Sequence, residues 1–325
     1  MTEIDIKPFV HGVLSGDRRM LAKTITLIES SLVSHQQAAF DIMEQVLPHT
    51  GNSVRLGITG IPGVGKSTFI ENMGVFLVNK GHNVAVLAVD PSSRRSGGSI
   101  LGDKTRMEKL SVHKNAFIRP SPTGDTLGGV AAKTREIMLV CEAAGFDVIL
   151  VETVGVGQSE TQVASMVDFF LVLMIAGAGD ELQGIKKGVL ELADGIAINK
   201  ADKDNMAAVQ IAKKDLETAM HLIRPESPNW STPVMTCSSV EVDGTCAVWE
   251  TVMDHHRKTS ASGEFAKRRK NQSIEWMWAL VEEGLKKKFY EKEIIGQQIP
   301  MISKQVAEGQ LSPSVAAKQL LSHFI

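Results

Sequence analysis

The sequence predicts an α/β fold with a mostly parallel, doubly wound sheet, and two observations carry this prediction. Seven short runs of β-branched or apolar residues begin at Val54, and amphipathic segments with helical spacing separate them. Strands that alternate with helices in this way form parallel sheets covered by helices on both faces. A length of 325 residues with 43% hydrophobic residues is sufficient for the core of such a sheet.

The chain before the first strand is predicted to be a helical N-terminal extension, residues 1–50. Its apolar residues recur three or four positions apart, which is the spacing of an amphipathic helix. These residues are Phe9, Val10, Val13, Leu14, Leu21, Ile25, Ile28, Ile42, Met43, Val46 and Leu47.

The central domain, residues 51–257, contains the predicted strands, which are in order VRLGITG, VAVLAVD, NAFIRP, DVILVET, DFFLVLMIA, GIAINK and PVMTCS. The stretch RKTSASGEF after His256 has small and polar residues and no strand pattern, so it is predicted to be a linker. Residues 258–325 are predicted to form a C-terminal arm of two or three helices. Neighbouring faces of this arm carry the apolar residues Ile274, Met277, Trp278, Val281, Leu285 and Phe289.

Charge and cysteine content exclude several classes of protein. Thirty-five basic residues against 37 acidic ones give a formal net charge of −2, so neither a nucleic-acid partner nor a membrane partner is expected. Cys141, Cys237 and Cys246 are an odd number of scattered cysteines, which favours a reducing compartment over a disulfide framework. The N-terminal sequence lacks the pattern of a signal peptide, and the sequence has no apolar stretch long enough to span a membrane. A soluble, cytoplasmic protein is expected.

The stretch GITGIPGVGKST holds a phosphate-binding motif. Gly60, Gly65, Lys66 and Ser67 match G-x-x-x-x-G-K-[ST], and the motif lies between a predicted strand and a predicted helix, as a P-loop requires. Lys66 is expected to reach the β and γ phosphates, and Ser67 is expected to bind Mg²⁺. The sequence therefore predicts a P-loop NTPase fold whose nucleotide contacts come from Gly63, Val64, Gly65, Lys66, Ser67 and Thr68.

The sequence NKAD, from Asn199 to Asp202, follows the apolar run GIAI and predicts a guanine site. A carboxylate at Asp202 can accept from the N1–H and the N2 amine of guanine, whereas adenine has an acceptor at N1. Ser238 and Ser239 end the last predicted strand, where the backbone N–H of a small residue usually contacts the guanine O6. The alternative for Asp202 is a solvated helix cap, which the order of motifs disfavours.

Two further acidic residues end predicted strands. Glu152 lies where an acidic residue organises Mg²⁺ and its waters, and Gly155 lies where a backbone N–H can contact a γ-phosphate. Asp90 is a second candidate carboxylate, and its alternative role is to cap the turn before Pro91. The common D-x-x-G form is altered here, because Glu152 replaces Asp and no Gln follows Gly155 directly. The residue that positions the attacking water is therefore left open.

Taken together, these motifs resemble one known family over nearly the whole chain. The motifs that carry the resemblance are GIPGVGKST, DPSS from Asp90, ETVGVGQ from Glu152, NKAD, PSPTGDTLGGVA and GAGDELQGIKKGVLE. The chain is similar to the MeaB/ArgK G-proteins, a family with a human member, the methylmalonic aciduria type A protein. The family belongs to the dimerising class of P-loop GTPases.

The resemblance implies a Mg²⁺-dependent GTPase that binds GTP and GDP. Slow hydrolysis by the protein alone is expected because no Gln follows Gly155 directly, and a partner can then increase the rate. Members act as chaperones of adenosylcobalamin-dependent acyl-CoA mutases, gating cofactor loading and protecting the mutase. Methylmalonyl-CoA mutase is the commonest client, and isobutyryl-CoA and ethylmalonyl-CoA mutases are the alternatives. The catalytic positions implied are Lys66, Asp90, Asp103 and Glu152; the Mg²⁺ positions are Ser67, Asp90 and Glu152; the guanine positions are Asn199, Lys200, Asp202 and Ser238.

The segment from Gly177 to Gly188 matches a family loop that signals nucleotide state to the mutase. Together with Gly155, its implied switch residues are Asp180, Gln183 and Lys186. A homodimer is expected through the C-terminal arm, because residues 264–324 are too few to bury Trp276, Trp278, Leu285 and Phe289 by themselves. The alternative is that the arm packs back onto its own central domain.

Two other functions compete with this interpretation. A metal-insertion GTPase needs thiol or imidazole ligands at short spacing. His255 and His256 are adjacent and point about 100° apart on a helix, which favours solvated or capping roles over metal binding. An amino-acid transport ATPase or kinase is disfavoured by the NKAD motif and by the lack of a kinase catalytic-loop pattern.

Overall fold

The computed structural model describes residues 4–89, 107–120, 127–153, 159–177, 187–202, 205–223, 227–240 and 242–324. Within these ranges the chain forms two compact units, residues 1–270 and residues 271–325. The division into an extension, a central domain and an arm, with limits after residues 50 and 257, stays a prediction.

A seven-stranded sheet forms the centre of the first unit, and every strand pair in it is parallel. The spatial order is β3-β2-β4-β1-β5-β6-β7. The strands are β1 (Val54–Gly60), β2 (Val84–Val89), β3 (Ala116–Arg119), β4 (Val148–Thr153), β5 (Phe169–Ile175), β6 (Gly195–Asn199) and β7 (Val234–Thr236). All seven predicted strands are present, and β1, β2, β4 and β5 are almost wholly buried. Continuous burial of apolar strands is typical of a parallel sheet with helices on both faces, so the predicted fold class is confirmed.

Helices precede, cover and follow the sheet. The described helices are α1 (Lys7–Leu14), α2 (Arg18–Glu29), α3 (Val33–Val46), α4 (Lys66–Asn79), α5 (Glu108–Ser111), α6 (Leu127–Ala143), α7 (Ser159–Ala164), α8 (Lys187–Glu191), α9 (Met206–His221), α10 (Val242–Ala261), α11 (Glu264–Glu291), α12 (Glu293–Ala307) and α13 (Pro313–Ser322). Helices α1 to α3 pack on one another and on α6, and Val13, Leu21, Ile25 and Ile42 are fully buried between them. The N-terminal segment is therefore helical, as its apolar spacing predicts.

The stretch RKTSASGEF, predicted to be a linker, is helical on both sides of one short turn. Helix α10 continues to Ala261, and α11 begins at Glu264 after a turn in which Gly263 has φ of 78°. Thr259 is buried, and its Oγ1 donates to the carbonyl of His255 at 2.8 Å. Packing of this face against the domain keeps the small polar residues helical, because tertiary contacts override weak local preferences.

The second unit has a small apolar centre of its own. Ile295, Ile302 and Ala316 are buried there, and Phe289 contacts Phe324 with ring centroids 5.6 Å apart. Lys292 Nζ, directly before α12, donates to the carbonyl of Phe324 at 2.8 Å. Among the helices described, none combines the length and the apolar character needed to cross a membrane.

Candidate functional site

The candidate site lies at the carboxyl edge of the sheet, where the chain leaves β1. Strand β1 lies between β4 and β5, neither of which is its neighbour in sequence. Ligands of open α/β sheets bind at such a switch point, outside the carboxyl ends of the strands. The predicted phosphate loop, Glu152 and Asn199 all come from this edge, at the ends of β1, β4 and β6.

The phosphate loop has a backbone that requires glycine at two points. Gly65 has φ of 97°, and an added Cβ there would lie 2.8 Å from Asn199 Nδ2. Gly60 has φ of 153°, and an added Cβ would lie 2.5 Å from the carbonyl oxygen of Leu173. Helix α4 begins directly after Gly65, and no side chain caps it. Its first backbone N–H groups are therefore available to an anion, as a phosphate-binding loop requires.

Lys66 is folded back onto this loop. Its Nζ donates to the carbonyl oxygens of Gly60 at 2.7 Å and Ile61 at 3.2 Å. Burial lowers the pKa of the Lys66 ammonium from its usual value, and the carboxylates of Glu152 and Glu160 oppose that change. A bound phosphate chain can replace the two carbonyl acceptors and supply a stronger partner for the ammonium.

Ser67 and Glu152 provide the oxygen atoms of a candidate magnesium site. Ser67 Oγ donates to Glu152 Oε1 at 3.1 Å, and Glu152 is only 6% exposed. A hydroxyl and a carboxylate in contact are ligands that suit Mg²⁺, which prefers hard oxygen donors and keeps several waters. Beside them, Thr153 Oγ1 donates to Thr59 Oγ1 at 2.8 Å and joins β4 to β1.

Asn199 joins the predicted guanine site to the phosphate loop. Its Nδ2 donates to the carbonyl of Val64 at 2.7 Å, and its Oδ1 accepts from the backbone N–H of Ser239 at 2.9 Å. Lys200, next in the chain, has φ of 58° and is the only non-glycine residue with positive φ in the described ranges. This turn brings the chain to Asp202, whose Oδ1 accepts from Ser238 Oγ at 2.9 Å. The carboxylate is thus held in place at the end of β6 and β7.

The structure therefore brings the phosphate loop, Glu152, Asn199, Asp202 and the two serines after β7 to one edge of the sheet. The remaining predicted site residues lie outside the described residues, namely Asp90, Asp103, Gly155, Asp180, Gln183 and Lys186. Their roles stay predictions.

Sequence reasoning missed two residues of this edge. Glu160, in the first turn of α7, is 4% exposed, and its charge acts on Lys66. Asn72 of α4 donates from Nδ2 to the carbonyl of Ser239. An acidic residue shortly after the ETVGVGQ motif was a usable signal for Glu160, whereas the partner of Asn72 lies 167 residues away and has no local signal.

The adjacent histidines differ from the sequence-based expectation. His255 is 3% exposed, and its ring lies against Trp230 and Phe169 with centroid distances of 4.9 and 5.2 Å. The prediction that this residue is solvated or capping is wrong, because the aromatic rings enclose it. In the part of the chain that the structure describes, no three His, Cys, Asp or Glu side chains form a group able to hold a metal ion.

Comparison with known proteins agrees with this site. Residues 21–294 match the family described as methylmalonyl Co-A mutase-associated GTPase MeaB. A putative GTPase of Caulobacter vibrioides is 53% identical over 99% of this chain and 98% of its own. The GTPase ArgK of Escherichia coli is 45% identical over 100% of this chain and 98% of its own.

Two further matches extend the comparison to an animal protein and a solved structure. The mitochondrial methylmalonic aciduria type A homolog of Mus musculus is 44% identical over 96% of this chain and 78% of its own. The crystal structure of a protein called LAO/AO transport system kinase has a TM-score of 0.80 and 39% identity, covering 100% of this chain and 99% of that one. On this family match, on relatives named as GTPases, and on the P-loop with its guanine motif, the chain belongs to the MeaB family and is a GTPase.

Proposed function

We propose that this GTPase is a Mg²⁺-dependent chaperone of an adenosylcobalamin-dependent acyl-CoA mutase. The client that we propose is methylmalonyl-CoA mutase. In this role the GTPase gates the loading of the cofactor and protects the mutase. The observation that carries the proposal is the match of residues 21–294 to a family described as associated with that mutase. The name of the mouse relative, methylmalonic aciduria type A homolog, supports it further. A cytoplasmic location belongs to the same proposal.

In the proposed reaction, different residues at the carboxyl edge of the sheet bind the phosphates and the Mg²⁺ ion. Backbone N–H groups from Gly63 to Thr68 and the ammonium of Lys66 bind the phosphates. Ser67 and Glu152, with Asp90, would hold Mg²⁺, which supplies positive charge to the β and γ phosphates. Asp103 completes the proposed catalytic set. Because no Gln follows Gly155 directly, we expect slow hydrolysis by the protein alone and faster hydrolysis with the mutase bound.

The experiment that tests the proposal measures turnover of GTP and of ATP by the full chain, each with and without a cobalamin-dependent mutase. The proposal requires hydrolysis of GTP in preference to ATP, and an increase when the mutase is added. Preference for ATP would favour a transport-associated ATPase or kinase. Rapid GTP hydrolysis that the mutase does not change would contradict the chaperone role.

We propose that the loop from Gly177 to Gly188 relays nucleotide state to the mutase. It follows β5 in the sequence, and the carboxyl end of β5 lies at the edge that carries the phosphate loop, yet the loop sequence has no phosphate or base motif. Its glycines at 177, 179, 184 and 188 permit a backbone rearrangement when γ-phosphate binds.

The substitutions Gln183→Ala and Lys186→Ala are therefore expected to leave GTP affinity and basal hydrolysis nearly unchanged. They should reduce the mutase-stimulated rate by a coupling of about 1–3 kcal/mol. The measurement is the GTPase rate with and without mutase, and Lys213→Ala on α9 is the matched control. Equal loss in both conditions would make the loop catalytic, and no loss in either would make it structural.

A homodimer through the C-terminal arm is part of the proposal. Helix α11 carries an apolar stripe at helical spacing, formed by Ile274, Met277, Trp278, Val281 and Leu285. The exposed fractions of these side chains run from 43% at Val281 to 57% at Trp278. A continuous apolar stripe of this kind usually marks a protein interface, and a second copy of the chain presents the same stripe.

The substitution Trp278→Glu or Leu285→Glu is therefore expected to convert a dimer into a monomer that still binds GTP. A charge in the centre of an apolar interface costs several kcal/mol when it has no partner. Sedimentation or light scattering of the full chain measures the mass, and Ile211→Glu at an exposed position of α9 is the control. A wild-type monomer in dilute solution would rule out this interface.

A further inference from the structure

A groove lies on the first unit beside α10, away from the nucleotide site. Its cavity volume is about 650 Å³, and its walls are the segment from Pro228 to Pro233 and one face of α10. The segment leads into the amino end of β7, whereas the nucleotide residues follow the carboxyl ends of strands. We call this cavity the α10 groove, defined by Trp230, Pro233, Ala247, Glu250, Asp254 and Lys258. Its volume is within the usual range of ligand pockets.

The aromatic wall of the α10 groove is held in a fixed position. Trp230 Nε1 donates to the backbone carbonyl of Asp194 at 2.7 Å. The indole packs edge to face against His255 and Phe169, with centroid distances of 4.9 and 6.3 Å. An indole held on its edge presents a rigid apolar and π-rich surface to the groove, and such a surface attracts cations.

The helical wall carries a row of charges at successive turns. Glu250, Asp254 and Lys258 are four residues apart, so they lie on one face of α10. Lys258 Nζ lies 2.9 Å from Asp254 Oδ2 and 5.3 Å from the centroid of the Trp230 ring. The ammonium of Lys258 therefore lies beside a carboxylate and over the indole ring, which is the arrangement that an incoming ammonium would repeat.

Glu250 repeats half of this arrangement one turn earlier. It lines the groove next to Ala247, and within the described ranges no basic side chain lies at salt-bridge distance from it. The groove therefore offers one carboxylate that lacks a cation, together with the apolar surface of Pro233 and Ala247. One such carboxylate matches a ligand with one ammonium better than a diamine.

We propose that the α10 groove binds an alkylammonium group, supplied by the lysine side chain of a partner polypeptide. The ammonium pairs with Glu250, because Asp254 is already paired with Arg257 and Lys258, and the alkyl stem packs on Trp230 and Pro233. Lys258 competes for the same wall, so it weakens binding of the incoming lysine. This site is independent of GTP hydrolysis and of the proposed role with a mutase.

The test uses full-length protein labelled with 5-fluorotryptophan, in which the resonance of Trp230 is assigned by the substitution Trp230→Phe. The probes are Nα-acetyl-lysine methylamide, the uncharged norleucine analogue and putrescine. We expect a saturable shift of the Trp230 resonance with the lysine derivative and none with norleucine. Because exposed ion pairs are weak, Glu250→Gln should raise the half-saturation concentration about two- to fivefold, and Lys258→Ala should lower it by a similar factor. Lys213→Ala should leave it unchanged.

Each other outcome overturns a stated part of the proposal. An equal shift with norleucine would mean that only the apolar wall binds. Unchanged or weaker binding after Lys258→Ala would contradict competition by the internal lysine. Saturation by putrescine at a lower concentration than by the lysine derivative would assign the groove to a free diamine instead of a protein side chain. If no probe shifted the Trp230 resonance in the wild type or in Lys258→Ala, the α10 groove would not bind an ammonium group and the proposal would be wrong.

Discussion

The substitution Glu142→Gln is expected to lower the free energy of unfolding at neutral pH by about 3–5 kcal/mol, the cost of breaking a buried ion pair. Glu142 of α6 is 6% exposed and accepts from Arg55 Nε at 2.7 Å and from a second guanidinium nitrogen of Arg55 at 3.0 Å. Gly51 N–H donates to the same carboxylate at 2.8 Å, and Ser53 Oγ also donates to it. Glutamine retains the shape but leaves the Arg55 guanidinium buried without its charge partner.

The pKa of Glu142 makes this loss dependent on pH. Burial raises the pKa of the Glu142 carboxyl. The hydrogen bonds and positive charge of Arg55, together with the hydrogen bonds from Ser53 and Gly51, outweigh burial, so the pKa lies below its usual value. A carboxyl with a lowered folded-state pKa stabilises the protein above its unfolded-state pKa of about 4.3, and that stability is lost as pH falls through the folded value. The difference between wild type and Glu142→Gln should therefore be constant near neutrality and shrink in acid.

Urea unfolding of both proteins between neutral and acidic pH measures this difference. Glu44→Gln, at an exposed position of α3, is the matched control and should change the unfolding free energy by less than about 0.5 kcal/mol. The Glu142 network lies at the amino end of β1, opposite the phosphate loop. GTP affinity of the folded variant should thus equal that of the wild type. A stability difference that does not shrink in acid would contradict the assigned charge pairing.

Local sequence patterns were sufficient to predict the strands and to locate the nucleotide motifs. A buried parallel strand needs a continuous apolar run, so β4 and β5 are visible as VILV and FFLVLM without any knowledge of their neighbours. The phosphate loop is equally local, since Gly65 and Lys66 must be adjacent for the loop to lead into α4. Parallel strands then bring Asn199 to the same edge, because the carboxyl ends of all strands meet there.

Contacts between distant segments could not be predicted in this way. Arg55 and Glu142 are 87 residues apart, and Arg269 donates to Asp168 across 101 residues. Arginine, aspartate and glutamate are common surface residues, so nothing in the sequence distinguishes these from solvated charges. The same limit applies to the stretch RKTSASGEF, because Thr259 and His255 are held helical by burial in the folded domain.

The substitution Asp202→Asn is expected to weaken GTP binding about 10- to 150-fold, corresponding to about 1.5–3 kcal/mol for lost hydrogen bonds to a charged group. Guanine presents N1–H and an N2 amine, and a carboxylate can accept from both. Ser238 Oγ already holds Asp202 Oδ1 at 2.9 Å, so the side chain is oriented before the base arrives. Asparagine offers one acceptor and one donating NH₂ group, and its NH₂ group would face the N2 amine of guanine without an acceptor.

The same variant should bind xanthosine triphosphate better than the wild type does. Xanthine carries a carbonyl in place of the N2 amine, and that oxygen can accept from the new NH₂ group, whereas the wild-type carboxylate repels it. Calorimetric titration of both proteins with GTP, ATP and xanthosine triphosphate measures the exchange of preference. Asp215→Asn, at an exposed position of α9, is the control and should retain the wild-type order. If Asp202→Asn kept GTP affinity and base preference unchanged, then Asp202 would not be the residue that selects guanine.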